Sequence, residues 1–196
     1  MKYFKYWNVI LICTLLVATN ACDDDDDNIL DKPNLNETDE TFVEVAARAN
    51  MAEIEFGELA TTKATDPLVK DFAQQMIDEH NAAQDELEEL ADDYAGIEWP
   101  NDLDEGHDAV MEQLNDAEAG YRFDSLYMAT QVDSHESAVN IFQTATTSTT
   151  DTRVKSYATK YAPKMGMHLD RADSIHTVIV NRAMTDGTDG TEDGTN

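Results

Sequence analysis

The nine residues Thr65-Asp66-Pro67-Leu68-Val69-Lys70-Asp71-Phe72-Ala73 recur 85 positions later as Thr150-Asp151-Thr152-Arg153-Val154-Lys155-Ser156-Tyr157-Ala158. Thr, Asp, Val, Lys and Ala repeat in place, and Phe is answered by Tyr. Each copy reads as a turn into a helix, because the Asp can accept from the first unpaired backbone N–H groups. In the first copy Pro67 occupies the first helical position, where the missing N–H is not needed. A chain that turns twice into a second helix in the same way is constrained to two helical hairpins.

The apolar periodicity around these turns is helical. It predicts long helices over residues 41–63, 66–94, 122–145 and 151–182. Thr41 and Glu44 form a capping box at the first start, and Gly96 stops the second helix. Pro163 should kink or split the fourth. The long connection over residues 96–120 contains Trp99-Pro100 and a short amphipathic helix near residues 103–117, and it closes at Gly120. Two hairpins joined by one long crossover give an all-α fold class, a ferritin-like four-helix bundle.

Each long helix carries one ionisable residue inside its apolar stripe. At 100° per residue, Phe42, Ala46, Ala49, Phe56 and Ala60 all fall within about 60° of Glu53. His80 lies among Val69, Ala73, Met76, Ala83 and Leu87. His135 lies among Met128, Val132, Val139 and Phe142, with Gln131 beside it. His168 lies among Tyr157, Tyr161, Ala172 and Ile175. With a rise of about 1.5 Å per residue, Glu53 and His80 stand roughly 20 Å from their turn, and His135 and His168 roughly 24 Å from theirs. All four therefore reach mid-bundle.

A carboxylate and three imidazoles in a dry core must be paired. Two arrangements satisfy them. One is a metal ion held by Glu53, His80, His135 and His168, with zinc, iron, manganese or copper as the fitting ions. The other is a hydrogen-bonded network without metal, completed by Gln131, Tyr157 and Tyr161. His107 in the crossover, and His176 about 80° from the His168 stripe, read as rim or surface residues.

The ends of the chain are of another kind. Lys2 and Lys5 precede an apolar run over residues 9–18, too short to span a bilayer as a mature helix and suited to a signal peptide over residues 1–21. The segment Thr19-Asn20-Ala21-Cys22 resembles the bacterial lipobox, with Thr19 where that motif usually has Leu. The resemblance implies lipid on Cys22, and through it a membrane partner. Asp23 to Asp27 then repel one another in a solvated tether over residues 22–40. A Cys followed by such a run also resembles the surface-export signal of Bacteroidetes lipoproteins. The expected location is the outer membrane, facing the periplasm or the cell surface. The helical body is expected over residues 41–183. Residues 184–196, rich in Gly, Thr and acid, read as a disordered tail.

With 13 Lys+Arg against 41 Asp+Glu, the net charge is −28. That excludes a phosphate-binding face, and with it nucleic acid. It leaves room for a cationic or protein partner on the acidic surface. Oligomeric state is not encoded in any of these features.

Several segments together resemble a known family. They are Glu53-Ile54-Glu55-Phe56-Gly57-Glu58-Leu59-Ala60, Val69-Lys70-Asp71-Phe72-Ala73 and Met76-Ile77-Asp78-Glu79-His80, followed by Phe123-Asp124-Ser125-Leu126-Tyr127, residues 131–135 and residues 163–169. In order and spacing they are similar to the bacterial domain-of-unknown-function 4142 family of exported helical proteins, placed in the ferritin-like group. The resemblance implies that fold and an envelope location, and it supplies no activity. Di-iron ferritin chemistry needs Glu-x-x-His on two helices. Here Ile77, Val132 and Met165 stand three residues before the histidines, so ferroxidase chemistry is poorly supported. No nucleophile–base pair, phosphate loop or dinucleotide fingerprint is present. The sequence points to a binding or structural role with no catalytic residues. The alternative is a divalent-metal protein for storage, sensing or oxidase-like chemistry.

Overall fold

The helices begin where side chains close free backbone N–H groups. The computed structural model describes residues 32–188. Helix α1 (Glu37–Lys63) starts behind Asn36, whose Oδ1 accepts from the Thr38 and Asp39 N–H groups at 3.0 and 3.1 Å. This start lies four residues before the predicted Thr41 box, because Asn36 caps first. Helix α2 (Pro67–Ala91) starts behind Asp66, and α3 (Glu105–Asp116) behind Asp104. Helix α4 (Tyr121–Ser148) opens at Gly120, whose φ of 105° is a left-handed value that glycine adopts without strain. Helix α5 (Thr152–Thr188) runs unbroken through Pro163. Tyr161 and Met165 are buried on either side of that proline, so packing holds the helix across the lost hydrogen bond. Residues 1–31, with the expected leader, Cys22 and the acidic run, lie outside the described residues, as do residues 189–196 of the expected tail.

Helix α1 packs along α2, and α4 along α5. The two hairpins meet through α1 against α4 and α2 against α5. The backbones of α1 and α2 come close at Gly57, where a Cβ would lie 2.8 Å from Ile77 Cγ1 and 3.1 Å from the Ala73 carbonyl oxygen. Helix α3 lies in the crossover and buries Leu114 completely.

The core has two apolar clusters. One collects Phe42, Ala46, Leu87, Phe142, Val154 and Tyr157 near one end. The other collects Phe56, Phe72, Met76, Phe123, Tyr127 and Ile175 near the opposite end. The four long helices contribute to both. Between the clusters lies a layer of buried polar residues: Asn50, Glu53, His80, Gln131, His135 and His168.

Two buried aspartates clasp the hairpins together. Asp124 on α4 accepts from the Thr65 N–H at 2.9 Å, the Thr65 hydroxyl at 2.7 Å and the Asp66 N–H at 2.9 Å. Asp39 on α1 accepts from the Thr150 N–H at 3.0 Å, the Thr150 hydroxyl at 3.2 Å and the Asp151 N–H at 2.8 Å. Asp39 and Asp124 are themselves 85 positions apart, like the turns they hold. Aromatic contacts follow the same exchange: Phe42 meets Tyr157 at 6.3 Å and Phe72 meets Tyr127 at 6.4 Å between ring centroids. The sequence repeat is therefore a pseudo-twofold relation in space, with the first helix of each half clasping the turn of the other.

Asp124 is 2% and Asp39 0% exposed, so truncating either strands three donors. Each of Asp124→Ala and Asp39→Ala should lower stability by about 2–4 kcal/mol, since hydrogen bonds to charged groups are worth ~1.5–3 kcal/mol and orphaned donors cost more. Urea unfolding measures this. A loss below about 0.5 kcal/mol for both, the range of ordinary surface substitutions, would refute the clasp.

Candidate metal centre

The polar layer brings three of the four predicted residues together. One ring nitrogen from each of His80, His135 and His168 lies within 4.8 Å of the other two. The ring centroids stand 5.8 Å (His80–His135), 5.6 Å (His80–His168) and 5.2 Å (His135–His168) apart. The three side chains come from α2, α4 and α5, and none is more than 3% exposed.

Each ring is oriented by a bond at its other nitrogen. His80 Nδ1 donates to Asn50 Oδ1 at 2.9 Å. Asn50 in turn donates through Nδ2 to the Tyr157 hydroxyl at 3.2 Å, and that hydroxyl donates to the Ala83 carbonyl at 3.3 Å. His135 Nδ1 donates to the Gln131 carbonyl at 2.9 Å. His168 Nε2 donates to Glu79 Oε2 at 3.2 Å, and Glu79 also accepts from Gln75 at 2.7 Å. These acceptors fix the tautomers. The nitrogens left over, His80 Nε2, His135 Nε2 and His168 Nδ1, are buried without a protein hydrogen-bond partner.

Glu53 is placed differently from the prediction. Its carboxylate lies outside the group of converging ligand atoms and accepts from Gln131 Nε2 at 2.7 Å. Helix α1 instead sends Asn50, one turn earlier on the same face, to meet His80. Gln131 thus supports Glu53 through its amide and His135 through its carbonyl. Its Oε1 has no protein partner, and neither does the buried Tyr127 hydroxyl. Tyr157 supports the site through Asn50. Tyr161 does not: its hydroxyl donates to Glu86 at 2.8 Å. Asn50 and Glu79 went unread in the sequence. Asn50 was open to detection, being three residues from Glu53 on one face. Glu79 was not, since its place one residue before His80 turns it about 100° toward the surface.

The electrostatics favour neutral rings at His80 and His168. Burial, then the charges His135 and His168 would carry, hold His80 well below its ordinary value of 6.5. Burial, then His135, hold His168 at about 4, although Glu79 pulls the other way. Burial alone would raise Glu79, but the hydrogen bonds from Gln75 and His168 leave it below the usual carboxylate range. Neutral imidazole is the form that coordinates a metal. The arrangement is a set of three buried nitrogen lone pairs, each pre-oriented by a hydrogen bond behind it.

A pH dependence follows. Both histidines have folded values below the unfolded one, so the unfolded chain takes up protons first as the pH falls. Stability is fully present above pH 6.5 and is lost as the pH falls toward about 4. Between pH 7.5 and 5.5 the metal-free protein should lose about 3 kcal/mol, each of the two groups losing ~1.4 kcal/mol over the one unit below 6.5. Urea unfolding at the two pH values measures it. Unchanged stability would contradict buried neutral histidines.

A solved structure described as "CopM in the Cu(II)-bound form" is similar with a TM-score of 0.61 and 17% identity, over 71% of this chain and 95% of that one. Among curated proteins none matches. The family described as "Domain of unknown function (DUF4142)" matches residues 27–175, most of the sequence, and the chain belongs to that family.

Proposed function

We propose that the protein binds one transition-metal ion through His80 Nε2, His135 Nε2 and His168 Nδ1. The observation that carries this reading is the split role of each ring: one nitrogen anchored, the other buried and unpaired beside two like it. A self-sufficient hydrogen-bonded network would have paired those nitrogens with one another or with Glu53. Two donors on one ion stand at most about 4 Å apart, twice a metal–nitrogen bond of ~2.0–2.1 Å. The observed spacing therefore closes onto an ion with a shift of less than about 1 Å.

Three imidazoles without thiolate suit copper and zinc better than manganese, which prefers oxygen donors. Among divalent first-row ions the affinity order places Cu(II) highest. The similarity to a protein solved with Cu(II) bound concerns the fold. Glu79, Asn50 and the Gln131 carbonyl act behind the ligands by holding tautomer and ring direction. Bound metal would supply Lewis-acid or redox chemistry at that point.

The finer architecture belongs to the same proposal. The single long crossover makes α2 and α4 run the same way, as a ferritin-like four-helix bundle requires. Among the described residues no helix is long and apolar enough to cross a membrane. A lipid on Cys22 would tether the body to the outer membrane. The acidic surface would take up cations or a basic protein partner. The role is binding, storage or sensing, with no catalytic group assigned.

The full chain, purified without a His tag or chelator, should bind about one Cu(II) per chain against a competing chelator. His80→Ala, His135→Ala and His168→Ala should each abolish that site. Glu79→Ala should weaken it by about 10–100-fold, the usual cost of losing a group behind a ligand. Metal content by mass spectrometry and competition titration read this out. Unaltered uptake in the three histidine variants would assign the copper to surface carboxylates and defeat the proposal.

A further inference from the structure

A cavity of about 450 Å³ opens between α1 and α4, under the first turn of α3. Its inner end is formed by Asn50, Glu53, His80 and His135, all buried. Its walls are apolar, from Ala46, Ala49, Val110, Ala138, Phe142 and Met165. Val45 and Ile141, 37% and 38% exposed, flank the mouth. Both add apolar surface at the edge of the cavity.

Arg48 lines the same cavity. It is half-buried and makes no hydrogen bond or ion pair, in a chain with 41 acidic residues. It is the only Lys or Arg among the lining residues. The three lining carboxylates leave it free, and Glu53 accepts from Gln131 Nε2 at 2.7 Å. Asp104 accepts from the His107 N–H at 3.0 Å and lies 2.9 Å from that residue's ring. Asp133, exposed on α4, does not come within ion-pair distance. A guanidinium presents a planar fork that matches a carboxylate. Concave, mostly apolar space with a few placed polar groups is the usual form of a small-molecule site.

We propose that this cavity binds a small organic acid. Its carboxylate pairs with Arg48, its apolar body lies along the α1 and α4 walls, and its far end reaches His80 and His135 of the three-histidine centre. Metal and acid would then occupy adjacent sites. The adjacency rests on the metal proposed above, whereas the acid site stands on the cavity and on Arg48.

The test is calorimetry on the full chain, metal-free and Cu(II)-loaded, with hexanoate, hexanol and hexylammonium as probes. Hexanoate should bind at one site per chain, at least tenfold more tightly than either analogue. Arg48→Gln should weaken it at least tenfold, and Arg48→Lys should restore most of the affinity. In the loaded protein hexanoate should shift the Cu(II) electron paramagnetic resonance spectrum. If copper binds but hexanoate binds no better than hexanol, or Arg48→Gln leaves its affinity unchanged, the acid site is overturned and the metal centre stands. If hexylammonium binds best, the acid site is likewise overturned. If hexanoate binds as expected while copper is not retained, the acid site is supported and the metal centre fails.

Discussion

The two aspartate clasps set the register on which the rest of the structure depends. A buried carboxylate must keep its donors, and Asp124 and Asp39 each find theirs only at the turn of the opposite hairpin. Sliding one hairpin past the other by a turn, about 5.4 Å, would strand both carboxylates and their donors. It would also separate His80 on α2 from His135 and His168 on α4 and α5. The convergence of three imidazoles is therefore a consequence of pairings made at the ends of the hairpins, far along the helices from the rings themselves.

The halves share a frame but not a site. Applying the 85-residue offset, Asp39 corresponds to Asp124, Thr65 to Thr150, and Phe72 to Tyr157. In the polar layer the same offset sets Asn50 against His135, His80 against Met165, and Ala83 against His168. Frame positions were kept where both halves need the same bond. Layer positions differ because a site near a pseudo-twofold relation would otherwise present duplicated donors on opposite sides. The asymmetry gathers the imidazoles on three helices and leaves α1 to contribute Asn50, Glu53 and the cavity wall.

Helix count, hairpin pairing and the crossover were legible because periodicity and capping are local. The three histidines were legible because counting residues from a turn fixes depth along a helix. Glu53 was assigned to the cluster by the same count, and lies only one turn from Asn50. What decided between them is which side chain fits the space facing His80, a property of the packed interior. Glu79 was hidden because its helical angle turns it away from the buried stripe, and it meets the buried His168 from a half-buried position on the neighbouring side of α2. The cavity was hidden for a similar reason. It depends on how far α1 and α4 stand apart, and the residues lining it are the same alanines and valines that elsewhere fill the core.

The buried imidazoles cost the metal-free fold stability. Three ring nitrogens without protein partners forfeit about 1–3 kcal/mol each relative to paired groups, and the lowered proton affinities of His80 and His168 weaken the fold further under acid. Apolar residues of similar volume would remove both costs, as Met165 does at the position equivalent to His80. A layer that lowers stability, yet has its second nitrogens held by Asn50, Gln131 and Glu79, is organised for a ligand that recovers the loss on binding. Such a ligand stabilises the folded chain by ~4 kcal/mol at a thousandfold excess over its dissociation constant. On the proposed reading, binding at this layer would therefore raise the stability of the folded chain by an amount set by ligand concentration.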